Sequence, residues 1–270
     1  MKSVPGRYDV GRERDAVEAS HVGDTLRSFC CRLLGFSIER AAAVEHAFRT
    51  LELVMAHRAS LVILGEFDLV PIAQALHRLM VGTAAPFILS DWRREDTPAS
   101  VRAVGNHAIG SQALAAAHGG TLCVRCQRLP RDFKALVAQL RGTEEVHLTV
   151  VGDGRYDTHP FLVRPAPIRI PSLKARTKEL PRIIDEYGAD AVAELRVRQL
   201  RSREPRFTEA DRAWVIANTP RTLPEIEKST RRLVALRMAD DPRHAAEILG
   251  MAPVSLQRWI GRRTLPPVLR

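Results

Sequence analysis

The sequence predicts an α/β protein: a mostly parallel sheet with flanking helices, then a helical subdomain and a C-terminal helix-turn-helix. Three observations carry that expectation. Short runs rich in branched residues alternate with helical patterns as far as residue 170, and no such run occurs after Pro171. The last forty residues hold two short amphipathic segments separated by a glycine. Strands covered on both faces read as continuous apolar runs, and strand–helix alternation is the mark of a parallel sheet.

In chain order, strands are expected at 60–64, 87–90, 121–124, 146–151 and 168–170, giving a five-stranded parallel sheet. Between them, apolar residues recur at helical spacing over 39–55, 70–80, 111–117 and 133–140. Beyond Pro171, helices are expected at 180–200, 209–217 and 223–238, the last running unbroken into the C-terminal unit. The organisation predicted is an N-terminal extension over 1–32, an α/β core over 33–172, a helical subdomain over 173–225 and the helix-turn-helix over 226–270. No internal repeat or low-complexity tract is visible.

The C-terminal unit carries the clearest local signal. Ala245, Ala246, Ile248 and Leu249 form one apolar stripe, and Gly250 suits the left-handed position that ends a helix. Pro253 suits the first turn of the next helix, whose Leu256 and Ile260 lie four apart. Leu249, Leu256 and Ile260 read as core, while Trp259 either covers that core or stacks outside it. Ser255, Gln257, Arg258, Arg262 and Arg263 fall mostly off the buried face, where a recognition helix meets duplex DNA. The arginines suit phosphate or guanine, and Ser255 and Gln257 suit base edges. Arg243 and His244, at the start of the preceding helix, are placed to grip the flanking backbone. The competing reading is a basic, solvated helix pair.

Composition points the same way. The net charge of +10 predicts a polyanionic partner. Between Arg231 and Arg270 there are eight arginines against Asp240, Asp241 and Glu247. At 270 residues and 45% hydrophobic, the chain can bury a sizeable core and is expected to hold one large domain and a small one. Cys123 and Cys126 have CxxC spacing but no second pair at zinc-site distance, so buried, reduced strand cysteines are expected, and no metal. The nine histidines show no ligand spacing. Asp153, Asp157 and His159 read as a loop at the sheet's edge rather than a catalytic group. Trp92-Arg93-Arg94 reads equally as a partner contact or a capping loop. No apolar stretch is long enough to span a bilayer, and the opening MKSVPGRYDVGRERD lacks a signal peptide's apolar centre. A cytoplasmic protein without a membrane partner is expected.

The order of these pieces resembles the AAA+ enhancer-binding activators of the NtrC type, which end in a Fis-like helix-turn-helix. Leu34-Gly-Phe-Ser37 is similar to the family's opening. VILGEFDLVPIAQALH, residues 62–77, resembles its first strand, phosphate loop and following helix. HGGTLCV, residues 118–124, sits where the second nucleotide motif's strand belongs. The run 168–176, IRIPSLKAR, is similar to the segment that opens the helical lid, and PRTLPEIE, residues 220–227, falls at the second sensor. The resemblance spans about residues 33–263, and it makes the helical subdomain the family's lid.

The departures from the family's pattern are as informative. Its phosphate loop needs glycines and a lysine. Here only Gly65 and Glu66 survive, Asp68 stands where phosphate would come, and Pro71 removes an N–H donor. Arg125 and Cys126 replace the two acids that hold magnesium and activate water. The first sensor falls near Gly152 and the second on Pro224, both without the needed side chain. The arginine-finger region shrinks to 158–164, where Arg164 matches at best the less central arginine. Nothing between Ser90 and Gly119 resembles the family's sigma-factor loop.

These features together predict a sequence-specific DNA-binding transcriptional regulator on an ATPase-inactive AAA+ scaffold, with no cofactor and no enzymatic activity. Double-stranded DNA is the expected partner, with a homodimer reading two half-sites. The alternative is an adaptor that docks on an active AAA+ relative or on RNA polymerase. An ATPase with atypical phosphate contacts is the third reading.

Overall fold

The computed structural model describes residues 10–57, 59–98, 104–140, 145–155, 165–197, 204–219 and 222–266, with side chains from residue 22 onward. The helices are α1 (Val10–Leu34), α2 (Ala41–His57), α3 (Val70–Met80), α4 (Gly110–Ala116) and α5 (Phe133–Leu140). Next in the chain come α6 (Leu180–Arg196), α7 (Glu209–Asn218), α8 (Leu223–Met238), α9 (Pro242–Leu249) and α10 (Pro253–Ile260). The strands are β1 (Leu61–Leu64), β2 (Phe87–Ser90), β3 (Gly105–Asn106), β4 (Thr121–Arg125), β5 (His147–Gly152) and β6 (Ile168–Arg169).

All strand pairs in this sheet are parallel, in the order β3-β2-β4-β5-β1-β6. Parallel neighbours need crossovers, and helices α3, α4 and α5 supply connections between strands. The architecture is α/β: a parallel sheet with helices packed on both faces. The sheet has six strands among the described residues, not the five expected. The extra one, β3, is two residues long and holds no branched residue, so no apolar run announces it. It exists because Asn106 is buried and its side chain gathers the loop after β2. Its Nδ2 donates to the carbonyls of Asp91, Arg94 and Glu95, each at 3.2 Å, and its Oδ1 accepts the Asp91 N–H at 3.1 Å.

The strands are apolar throughout because both faces of the sheet are covered. In β1, Leu61 and Ile63 join the core built with α1, α2 and α3, whereas Val62 and Leu64 join the core under α4 and α5. The same alternation divides Cys123 from Leu122 and Val124 in β4. The first of these cores is the larger. It continues without a break through α6, α7 and α8 to Ala245, Ala246, Leu256 and Trp259 of the last two helices.

Two arginines fasten this architecture. Arg176, in a short 3₁₀ segment (Leu173–Glu179), is buried and donates to the carbonyls of Leu33 at 2.7 Å and Arg32 at 3.0 Å. It satisfies the open carbonyls at the end of α1, whose later residues Leu26, Phe29, Cys30 and Leu33 belong to the core. Arg237 of α8 reaches Asp211 of α7 through Nη2 at 2.7 Å and Nε at 3.2 Å, with the carboxylate fully buried. Asp211 also completes a capping box, accepting the Thr208 N–H at 2.9 Å.

The Asp211–Arg237 pair yields a direct prediction. Asp211→Asn strands a buried guanidinium and weakens the α7 cap, so stability should fall by about 3–5 kcal/mol. Chemical denaturation of the purified variant measures it; a loss under about 1 kcal/mol would show that the pair is solvated.

Candidate nucleic-acid interface

Helices α9 and α10 are each eight residues long and are joined by the turn at Gly250, Met251 and Ala252. Asp241 opens α9 by accepting the His244 N–H at 2.8 Å, with Pro242 in the first turn. Those backbone bonds hold its carboxyl below the ordinary carboxylate range. Gly250 ends the helix at φ 65° and ψ 36°, a left-handed position that favours glycine. Its N–H and that of Met251 bond the Glu247 and Ala246 carbonyls, which turns the chain sharply into α10.

Burial on α10 separates two faces. Leu256 is fully buried and Trp259 is 7% exposed, so the tryptophan is core rather than an external stacking surface. It meets Trp214 of α7 edge-on at 5.7 Å between ring centroids, and Trp214 Nε1 donates to the Thr264 carbonyl at 2.6 Å. These contacts fix α10 on the helical layer. Leu249 and Ile260, expected as core, are half-buried and pack at its edge.

On the other face, Ser255, Gln257 and Arg258 are exposed, and Arg262 is exposed just past the helix end. Positions 255, 258 and 262 are three and four apart, so they continue one ridge. Val254 joins that surface at 59% exposure, an apolar contact that the sequence pattern does not single out. Arg263 turns back instead: it is half-buried, donates to the Trp259 carbonyl at 3.0 Å and lies over that ring at 5.0 Å. On α9, Arg243 is exposed with Nε 3.8 Å from Glu247, and His244 is half-buried. The structure thus leaves Ser255, Gln257, Arg258 and Arg262 exposed at α10, turns Arg263 back onto Trp259, and puts Arg243 and His244 at the start of α9.

The edge where the sequence resemblance puts a phosphate loop is built differently. A helix N-terminus attracts anions, and at α3 the anion is the chain's own. Asp68 Oδ1 accepts the N–H of Val70 at 3.1 Å, and Arg125 grips both Asp68 oxygens at 2.8 and 3.2 Å. Arg125 Nε and Arg128 Nη1 then lie 3.4 and 3.0 Å from Oδ2 of the fully buried Asp91. Burial raises the Asp68 pKa, but the bonds from Arg125 and Val70 outweigh it, and the net shift is downward. The Asp68 contribution to stability is therefore complete above the ordinary carboxylate pKa, about 3.9, and fades as pH falls through the lower folded value. Asp153 is paired with Arg155; Asp157, His159 and residues 158–164, with Arg164, lie outside the described residues.

His77 is buried between Thr121 Oγ1 at 2.8 Å and the Ala85 carbonyl at 3.1 Å, and burial lowers its pKa. Among the described residues, no three His, Cys, Asp or Glu side chains cluster to hold a metal ion. All four cysteines are free thiols. Cys123 lies within β4, and Cys126 comes just after the strand rather than belonging to it. Burial pushes Cys30 and Cys123 up to about 12 and Cys126 to about 11. Cys31 is half-buried and raised by burial as well. Because thiolate is the reactive form, a maleimide at neutral pH should label Cys31 first and leave the other three until the protein unfolds. Fast native labelling of Cys123 or Cys126, read by mass spectrometry, would contradict the buried placement.

No family model matches the chain, and no curated protein matches it either. Among solved structures, the chain is similar to NtrX from Brucella abortus in complex with ADP, with a TM-score of 0.44 and 15% sequence identity over 94% of this chain and 75% of that one. It is similar to the same protein in complex with ATP, with a TM-score of 0.42 and 17% identity over 96% and 76%. A further NtrX structure gives 0.42 and 16% over the same shares of the two chains.

Proposed function

We propose that this chain is a sequence-specific, DNA-binding transcriptional regulator carried on an AAA+-like scaffold that does not hydrolyse ATP. One observation carries the reading: α10 buries Leu256 and Trp259 while leaving Ser255, Gln257, Arg258 and Arg262 exposed on its outer side after a left-handed glycine turn. That is the requirement for the second helix of a Fis-like helix-turn-helix lying in the major groove. Arg258 suits a guanine edge, Ser255 and Gln257 suit base edges, Val254 suits a thymine methyl, and Arg262 suits phosphate. Arg243, His244 and Arg263 flank that contact. A single short helix reads few base pairs, so a homodimer on two half-sites supplies the remaining specificity.

The inactive scaffold rests on charge. A helix N-terminus whose first N–H already donates to Asp68, and a guanidinium at Arg125 where the reaction needs carboxylates, reverse the electrostatics that nucleotide and magnesium require. The second reading, an adaptor docking on RNA polymerase or an AAA+ relative, has one observation in its favour. Trp92 is 41% exposed, with Arg93 over its ring at 4.9 Å, on a loop held firmly by Asn106. No helix among the described residues is long and apolar enough to cross a membrane.

Arg258→Ala should weaken specific DNA binding and relax preference at one base pair, with a loss of about 1–3 kcal/mol of discrimination. Leu256→Ala should act through stability, at about 2–5 kcal/mol. Anisotropy titrations paired with thermal melts separate the two; full DNA affinity in an Arg258, Arg262 and Arg263 triple alanine variant would refute the interface and favour the adaptor. Phosphate release from ATP should stay at background with or without DNA, and turnover of about one per second, ordinary for an enzyme, would refute the inactive scaffold.

A further inference from the structure

Most arginines of α8 that the fold draws inward meet a carboxylate. Arg237 has Asp211, and Arg231 lies 2.8 Å from Glu194 of α6. Arg232 differs. Its guanidinium lies over the Trp259 ring at 5.1 Å, and Arg263 lies over the same ring at 5.0 Å. Two cations therefore flank one buried indole, where α8 meets the end of α10. Lys228, exposed and one turn before Arg232 on α8, extends the group. Among the described residues, none of the three has an acidic side chain within ion-pair distance.

Such a grouping costs stability in the free protein, since like charges four apart on a helix repel. Burial and the charge of Arg232 lower the Lys228 pKa, against a weaker pull from Glu225; burial and the charge of Arg263 lower that of Arg232. Cation–π contact with Trp259 offsets part of this and holds both guanidiniums in place. A cluster that is positioned, has no carboxylate at ion-pair distance among the described residues and adjoins α10 through Trp259 and Arg263 fits an anion supplied from outside.

We propose that Lys228 and Arg232 of α8, with Arg263, form a second DNA contact that binds the phosphate backbone beside the groove occupied by α10. The reading rests on the proposed DNA-binding function and deepens it by adding two residues and a role. Arg263 acts here as a phosphate ligand braced by Trp259, and base reading is left to Ser255, Gln257 and Arg258. Trp259 is the brace, and Arg232 spans from it to the backbone. Lys228 and Arg232 carry no sequence information, because phosphates are the same at every step.

The test uses the full chain and a Lys228→Gln, Arg232→Gln double variant on a duplex containing its bound sequence and on an unrelated duplex. Each phosphate contact removed should flatten the slope of log affinity against log salt by about 0.9, so the double variant should lose close to two. Affinity should fall by a similar factor on both duplexes, leaving the preference between them unchanged. The thermal midpoint should hold or rise, since repulsion is relieved, and Arg232→Lys should recover most of the salt slope. A double variant with the wild-type slope and affinity overturns the backbone site and leaves DNA binding by α10 standing. A wild-type chain that binds neither duplex overturns both. A loss of binding to an acidic protein partner, with DNA affinity unchanged, assigns the cluster to that partner and overturns the proposal.

Discussion

Helix α8 is the constraint on which the rest of the molecule depends. Its residues Leu223, Ile226, Leu233, Val234 and Ala235 are buried, and they belong to the same core as the sheet's inner face, α6, α7 and the last two helices. Breaking that core at one end disturbs the other, because buried side chains interdigitate at close-packed density. Arg237 adds direction to this adhesion. An ion pair buried against α7 is satisfied in only one geometry, so it fixes where α7 lies and therefore where Trp214 meets Trp259. The exposed face of α10 is thus aimed by the helical layer and does not swing on a linker.

A second consequence concerns the sheet's carboxyl edge, where open α/β sheets place their ligands. Here that edge is occupied by an internal chain of charges running from Asp68 through Arg125 and Asp91 to Arg128. A carboxylate satisfies the first N–H of α3, and a guanidinium satisfies the carboxylate. Two features that would each disfavour nucleotide are compatible with folding because they neutralise one another. The sheet then holds the helical layer and the last two helices in place, and their exposed basic face is the part proposed to act.

Local pattern announces most of the helices. The spacing over 70–80, 133–140 and 223–238 matches α3, α5 and α8, and the glycine and proline of the C-terminal unit mark the turn before α10. Features that depend on distant partners are not legible. Gly105-Asn106 becomes a strand through hydrogen bonds to a loop eleven to fifteen residues away, which no apolar period encodes. Trp259 admits two readings from sequence, and Trp214 beside it decides between them. Asp68 and Arg125 are 57 residues apart, so their pairing needs the strand order to bring β1 and β4 near one another. Arg232 is not marked by the sequence pattern for the same reason: only the packing of Trp259 against α8 sets it beside Arg263.

The most direct measurement of the central claim is genome-wide mapping of DNA bound by the full chain in its source organism. A regulator that reads bases through α10 predicts discrete enriched sites sharing one short motif, repeated as paired half-sites, and the enrichment vanishes when Arg258 is changed to alanine. Enrichment that only tracks RNA polymerase along transcribed genes, unchanged by that substitution, would contradict it.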